Sequence, residues 1–463
     1  MALVYLYLLV GVPVLCMLVL PKLLRSYKSK LPCPPGPRGL PIIGNLHQID
    51  VSIFPQHLWE LSEQYGPIMY LKLGHLPTLV ISSPEMAKQF LKTHDLNFCS
   101  RPYLFGLRKV SYDGRDVLFS PYNDYWREMR KIVTIHLFSS KRIQSFRSIR
   151  EEEVFQMIKV ISEKASSEEV VNLSETLAPL TITMTCRLAF GKKFDEVNMK
   201  RFKGLLKRFQ TVTAAFYFSD IFPSLRWLDR LTGSSAQLDN CFGDMDLFYQ
   251  EIIDEHLNSS RPSSMDGDVI DILLQLKRDD QISSIDFTFN NIKAIIMNIF
   301  FAGTDTTANT LIWIMTSLIK NPEVMHKAQK EVRKLMQGKE KIDEEDLQNV
   351  KLPYLEAVIK ETMRLYPVAA LIPRESLNKI VINGYEILPK TIVYVNLLAI
   401  GRRICAGMYM AIATLELVLS NLLYSFDWEL PPGMKKEDVD TDIGRGITLH
   451  KKNALCLKPR NYC

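Results

Sequence analysis

The segment Phe289 to Asn321 is the longest helical candidate in the chain, and its middle does not suit a helix. Apolar residues fill both ends. Between them runs Ala302-Gly303-Thr304-Asp305-Thr306-Thr307. Glycine and three threonines weaken a helix, and an acid in an apolar stretch costs energy unless it is paired. A membrane-spanning helix is the simplest alternative, but Lys293 and Asp305 interrupt it. A distorted central helix whose polar middle faces a cavity reconciles these features. Ala302 and Thr306 are spaced i,i+4 and share a face. The Thr306 hydroxyl can bond back to the Ala302 carbonyl and open the helix there.

A second unusual stretch is Gly401-Arg402-Arg403-Ile404-Cys405-Ala406-Gly407, followed at once by a helix-like run, Met408 to Leu423. A thiol in that loop would lie near the positive end of a helix and beside cationic side chains. Both lower a thiol's pKa, and the thiolate is the form a metal ligand requires. A small buried hydrophobe is the other reading of a single cysteine. The loop alone leaves both open.

The chain has 463 residues, 47% of them hydrophobic, enough for one large core. Aromatic residues at 10% and charged residues at 23% describe a globular chain. A formal charge of +6 is too small to argue for nucleic acid and suits an anionic membrane surface or an acidic partner. Eight cysteines form no CxxC pair, which points away from a zinc ribbon or a disulfide framework.

Residues Ala2 to Leu20 carry no charge, and roughly 20 such residues span a bilayer. Lys22, Arg25, Lys28 and Lys30 follow, and no basic residue precedes the run. The positive flank stays cytosolic, which places the body of the chain in the cytosol. A cleaved signal peptide would want a basic start, a shorter apolar run and a small-residue cleavage site. The expected organisation is an anchor at 1–24, a basic and proline-rich hinge at 25–41, and one large domain at 42–463. The hinge contains Cys33-Pro-Pro-Gly-Pro-Arg38, a stiff extended connector.

Ile68 to Leu73 and Thr78 to Ile81 read as a small hairpin. Ser83-Pro84-Glu85 opens a helix. From Tyr122 onward the pattern is mainly helical; Trp126 and Arg130, four apart, share a helix face. Pro353 to Tyr366 is a helix ended by Pro367, with Glu361 and Arg364 spaced to pair. Ile380 to Ile382, Gly384-Tyr385 and Thr391 to Val395 read as strands. The C-terminal part, around Gly433, Gly444 and Gly446, reads as short strands and turns. The fold class expected is mainly α with a small β region.

In this order the motifs resemble the cytochrome P-450 haem-thiolate monooxygenases, in particular the membrane-anchored microsomal enzymes of plants. The resemblance covers nearly the whole chain. It includes the anchor, the hinge, Phe98-Cys99-Ser100-Arg101-Pro102, Trp126-x-x-x-Arg130, the Ala302–Thr307 stretch, Glu361-x-x-Arg364, Pro373-Arg374-Glu375 and the cysteine loop. It implies a single large helical domain, with the long helix crossing over a haem b and the cysteine loop beneath it. It implies Cys405 as the axial thiolate on iron. It implies Trp126, Arg130, Arg374 and Arg403 at the haem propionates, Ala302, Gly303 and Thr306 as an oxygen groove, and Asp305 with Thr306 as a proton relay. Glu361 and Arg364 are implied as a structural pair behind the cysteine loop. The implied reaction inserts one oxygen atom of O2 into a small hydrophobic substrate. Electrons come from NADPH through a flavoprotein, the NADPH–cytochrome reductase. The implied location is the endoplasmic reticulum membrane, single-pass, with the catalytic body on the cytosolic face.

The chain departs from the family pattern before its cysteine. Leu398 stands where the family has phenylalanine. Val395 to Arg402 matches the end of a β segment that, in the family, precedes a meander of several tens of residues carrying an arginine partner for Glu361 and Arg364. Here the β segment runs straight into the cysteine loop, as if an internal piece near 396–401 were deleted or spliced away. Cys405 lies nine positions after Asn396, and an extended chain of that length reaches about 30 Å at most. A buried charge network lacking one member is expected to cost on the order of 3–5 kcal/mol. The alternative to an active enzyme is therefore a non-catalytic, truncated family product with impaired haem binding. An anchored binding protein unrelated to haem would require every ordered motif to be coincidence.

Overall fold

A computed structural model of the protein describes residues 32–258, 267–279, 285–369, 371–395, 405–444 and 448–462. The anchor at 1–24, the first hinge residues, the junction at 396–401, Arg403 and Gly446 lie outside the described residues.

Helices dominate, as the long periodic segments predict. Those that frame the centre are α1 (Asp124–Ile132), α2 (Arg147–Ser166), α3 (Leu173–Phe190), α4 (Glu196–Thr213), α5 (Ser234–Leu257), α6 (Phe289–Lys320), α7 (Pro322–Leu335), α8 (Pro353–Leu365) and α9 (Met408–Ser425). Helix α6 organises them. Its first half contributes Ile292, Ile295, Ile296, Met297, Phe300 and Phe301 to one apolar core. Its second half contributes Leu311, Ile312, Ile314, Met315, Leu318 and Ile319 to another. The polar stretch between them therefore sits in the middle of the molecule. Contrary to the expected distortion, α6 runs unbroken through that stretch. The threonines are accommodated because their hydroxyls bond back one turn: Thr304 to Phe300 O at 2.9 Å, Thr306 to Ala302 O at 2.6 Å and Thr310 to Thr306 O at 2.8 Å.

The first core is rich in rings. Phe190, Phe202, Phe248, Tyr249 and Phe300 meet edge-on or tilted across α3, α4, α5 and α6. The second core packs α9 against α2, α6 and α7. A buried ion pair borders it: Arg150 Nη2 donates to Glu344 Oε2 at 2.7 Å, and Arg150 Nη1 lies 3.0 Å from the Met410 sulfur. An apolar run plus these contacts makes α9 a core helix.

The strands are β1 (Ile68–Leu73), β2 (Leu76–Ile81), β3 (Val171–Asn172), β4 (Ile372–Glu375), β5 (Ile380–Ile382), β6 (Tyr385–Ile387), β7 (Ile392–Val395), β8 (Phe426–Glu429) and β9 (Cys456–Asn461). The main sheet has the order β1-β2-β7-β4, with β2 and β7 parallel in the register Val80↔Tyr394. The hairpin β1–β2 is tighter than expected, since Leu76 and Pro77 already pair with Leu73 and Lys72. The described part of the hinge packs on this sheet: Tyr70 N–H donates to Pro35 O at 2.8 Å. A Cβ at Gly36 would lie 2.0 Å from Tyr70 O, so only glycine fits there.

The Glu361–Arg364 pair forms, with Arg364 Nη2 donating to Glu361 Oε1 at 2.7 Å. The side chains are 56% and 63% exposed. This corrects the expected buried network and its energetic penalty. The i,i+3 spacing makes the pair, but α8 turns it to solvent, where water screens both charges. Accordingly, Arg364→Gln should leave the thermal unfolding midpoint unchanged within the error of a calorimetric scan; a clear downward shift would show a buried partner.

Candidate functional site

Helix α1 begins at Asn123, whose Oδ1 accepts Trp126 N–H at 2.8 Å. That cap sets the phase of the helix and puts Trp126 and Arg130 on its inner side. Trp126 is 4% exposed. Its Nε1–H, the ring's single donor, goes to Val117 O at 2.9 Å. Trp126 therefore ties a neighbouring loop to α1 through this bond. Arg130 is half-buried, and Cys405 is one of the charges it feels.

Cys405 stands just before α9. The residue is open to solvent on one side, but protein crowds the other and burial pushes its thiol up. The Gly407 N–H donated to the sulfur and the Arg130 guanidinium pull it down. The low pKa expected from the helix terminus is thus reversed, because desolvation outweighs both. The donors stabilise the anionic form once a cation binds it.

Arg374, on β4, is 1% exposed, yet its Nε, Nη1 and Nη2 have no hydrogen-bond partner among the described residues. Burial lowers its pKa. A guanidinium buried with all its donors unpaired is strongly unfavourable unless an anion meets it. Arg101, also buried, is held close by. Its Nη1 donates to Pro373 O at 2.6 Å and its Nε to Leu118 O at 2.9 Å. In the sequence Arg101 stands out only as part of the Phe98–Pro102 motif.

On α6, Ala302 is exposed and Gly303 lies against Thr185 of α3. The Thr306–Ala302 bond predicted from their spacing is present. Asp305, the acid in an apolar helix, finds its partner in Thr448, whose hydroxyl donates to its carboxylate. The C-terminal segment is further tied to α6 by Trp313 Nε1–H to Leu449 O at 3.0 Å. Arg403 lies outside the described residues.

A thiol with an N–H donor and a guanidinium, and a buried arginine whose hydrogen-bond donors are unfilled among the described residues, are groups that a metal held by sulfur and carrying carboxylates requires. This donor set fits haem. The family model described as Cytochrome P450 matches residues 34–402 and 399–457. The chain belongs to the cytochrome P450 family. It is similar to 5-OH-xanthotoxin synthase of Pastinaca sativa, 44% identical over 480 positions, covering 93% of this chain and 94% of the relative. The 6,7,8-trihydroxycoumarin synthase of the same plant is also 44% identical, with the same coverage. Cytochrome P450 71A1 of Persea americana is 43% identical over 463 positions, covering 90% of this chain and 91% of the relative. The chain is a haem-dependent monooxygenase with a thiolate-ligated iron, an oxidoreductase that places one oxygen atom on a small hydrophobic substrate.

Two numbers bear on the cysteine loop. The two family-model matches meet at 399–402. Coverage of 93% uses about 431 of 463 residues, so about 49 of the 480 aligned positions carry no residue of this chain.

Proposed function

We propose that this chain binds haem through Cys405 and oxygenates a planar aromatic substrate of the coumarin type, despite lacking a segment of about 50 residues ahead of its cysteine loop. The observation that carries the haem reading is Arg374, whose three buried nitrogens await an anion. Arg374 and Arg130 are the propionate-binding arginines in this reading, joined by Arg403. The coumarin class comes from the relatives' names and from the apolar character of Phe209, Phe301 and the neighbouring first core. The segment absent from the alignments is assigned to the junction at 396–401, where the two family matches meet.

Bound haem supplies the activation of O2 and the insertion of one oxygen atom. The protein's part is to place groups around it. Cys405 would hold the metal, with the Gly407 N–H steadying the sulfur's charge. Ala302 and Gly303 keep one face of α6 small, so O2 and substrate approach closely. Thr306 holds a proton at Oγ1, positioned by the Ala302 carbonyl. Asp305, held by Thr448, is the acid that replenishes it. Electrons arrive from NADPH through a membrane-bound flavoprotein reductase, and the apolar Ala2–Leu20 run anchors the chain in the endoplasmic reticulum membrane with its body in the cytosol.

Thr306→Ala tests the proton placement. With the substrate-loaded enzyme and its reductase, the fraction of NADPH electrons recovered in product should fall at least about tenfold while NADPH oxidation continues. Unchanged coupling contradicts the role given to Thr306. The substrate class is tested with a panel of coumarins against aliphatic substrates of equal size, scored by product formation.

A further inference from the structure

Two side chains hold the backbone of Val117–Ser120. Asn298 Oδ1 accepts the N–H groups of Val117 at 2.9 Å and Leu118 at 3.1 Å. The Asp116 carboxylate accepts the N–H groups of Leu118, Phe119 and Ser120 at 2.9–3.2 Å. Asn298 Nδ2 then donates to Asp116 Oδ2 at 2.8 Å and joins the pair. The carbonyls of Val117 and Leu118 are taken by Trp126 and Arg101. Asp116 is fully buried. A surface turn can satisfy its amides with water; this one uses a buried carboxyl group, which burial pushes up and these donors partly pull back down.

The position of the loop gives the clamp its meaning. Asn298 precedes Ala302 by one turn of α6, so the two share a face. The side chains of Val117, Leu118 and Phe119 pack against the same apolar cluster as Phe301, Ala406 and Met410. That cluster takes in the first half of α6 and the segment after Cys405. We propose that Asp116 and Asn298 are positioning residues that hold Val117, Leu118 and Phe119 as a fixed wall of the substrate site. The wall selects flat aromatic molecules and their orientation by shape. This rests on the haem-site reading above. Neither Asp116 nor Asn298 touches a reacting atom. A rigid wall matters because small displacements of a bound substrate cost large factors in rate and regiochemistry.

The test uses the full chain and three variants: Asn298→Ala, Asn298→Asp, and the double Asp116→Asn/Asn298→Asp. Asn298→Asp sets two carboxylates face to face; the double variant restores one carboxylate and one amide. Amide hydrogen exchange of the peptide spanning 116–121 should quicken at least about tenfold in both single variants and return to the parent rate in the double. Exchange in α9 should not change. In haem-loaded protein, the ratio of affinities for 4-phenylimidazole and imidazole, read from their spectral shifts, should change at least about fivefold in Asn298→Ala and recover in the double. Imidazole, small enough to avoid the wall, should bind unchanged. Unaltered exchange at 117–120, or no recovery in the double, overturns the clamp. Faster exchange that spreads equally to α9 overturns it as a local device. A loosened loop with an unchanged azole ratio overturns its role in selection. A parent chain without haem counts against the proposed function, while the exchange measurement still decides the clamp.

Discussion

Replacing Arg374 with methionine should make the haem-free chain more stable and the haem complex weaker. The two effects have one cause. Arg374 is 1% exposed, and all three of its nitrogens lack hydrogen-bond partners among the described residues. In the haem-free chain this is a buried cation with unfilled donors, whose burial outweighs the field of the Asp95 carboxylate, and an apolar side chain of similar length removes the penalty. The gain should be about 1–4 kcal/mol, read as a higher urea midpoint. In the complex the same substitution deletes charge-assisted hydrogen bonds to a carboxylate, each contributing about 1.5–3 kcal/mol. Haem affinity should therefore fall at least about tenfold. Arg374→Lys should recover part of the affinity, because a point charge replaces a fork. If Arg374→Met destabilises the haem-free chain and leaves haem affinity unchanged, Arg374 serves packing and has no anion to meet.

Cys405→Ala should abolish the thiolate-type Soret band of the reduced, carbon-monoxide-treated protein completely. The three other cysteines buried among the described residues are not placed to substitute. Cys186 and Cys241 are deeply buried within the first core, and burial pushes both thiols up. Cys99 is buried with its thiol against Leu96 O at 3.3 Å. Cys405→His separates ligand chemistry from folding: it keeps a metal ligand in the loop, so haem should be retained with a nitrogen-type band. A thiolate-type band surviving in Cys405→Ala would assign the ligand to a different sulfur.

What could be read from the residues follows their periodicity. The Thr306–Ala302 bond is local, set by an i,i+4 spacing and a hydroxyl one turn from a carbonyl, and it is present. Trp126 and Arg130 share one helix for the same reason. Glu361 and Arg364 pair as their spacing requires, but spacing does not say which face of α8 the core covers, and the pair lies in solvent. The use of Trp126's donor was illegible, because Val117 lies in a loop with no periodic signal. So was the Asp305–Thr448 contact, which spans 143 residues of sequence. Composition places arginines at the surface; the burial of Arg374 follows from the pairing of β4 with β7 and from Arg101 beneath it. The thiol of Cys405 was misjudged because the helix terminus and the arginine were legible and the surrounding protein was not. The family itself was legible from the order of its motifs, and the family-model match agrees.

A chain whose alignment to 5-OH-xanthotoxin synthase leaves about 49 positions empty is expected still to present Cys405 to haem iron. The most direct measurement is the reduced carbon-monoxide difference spectrum of the purified, intact, full-length chain supplied with haem during expression. A thiolate-type Soret band, with haem approaching one per chain, is the predicted result. Folded protein that elutes without haem, or that shows only a nitrogen-type band, would contradict it.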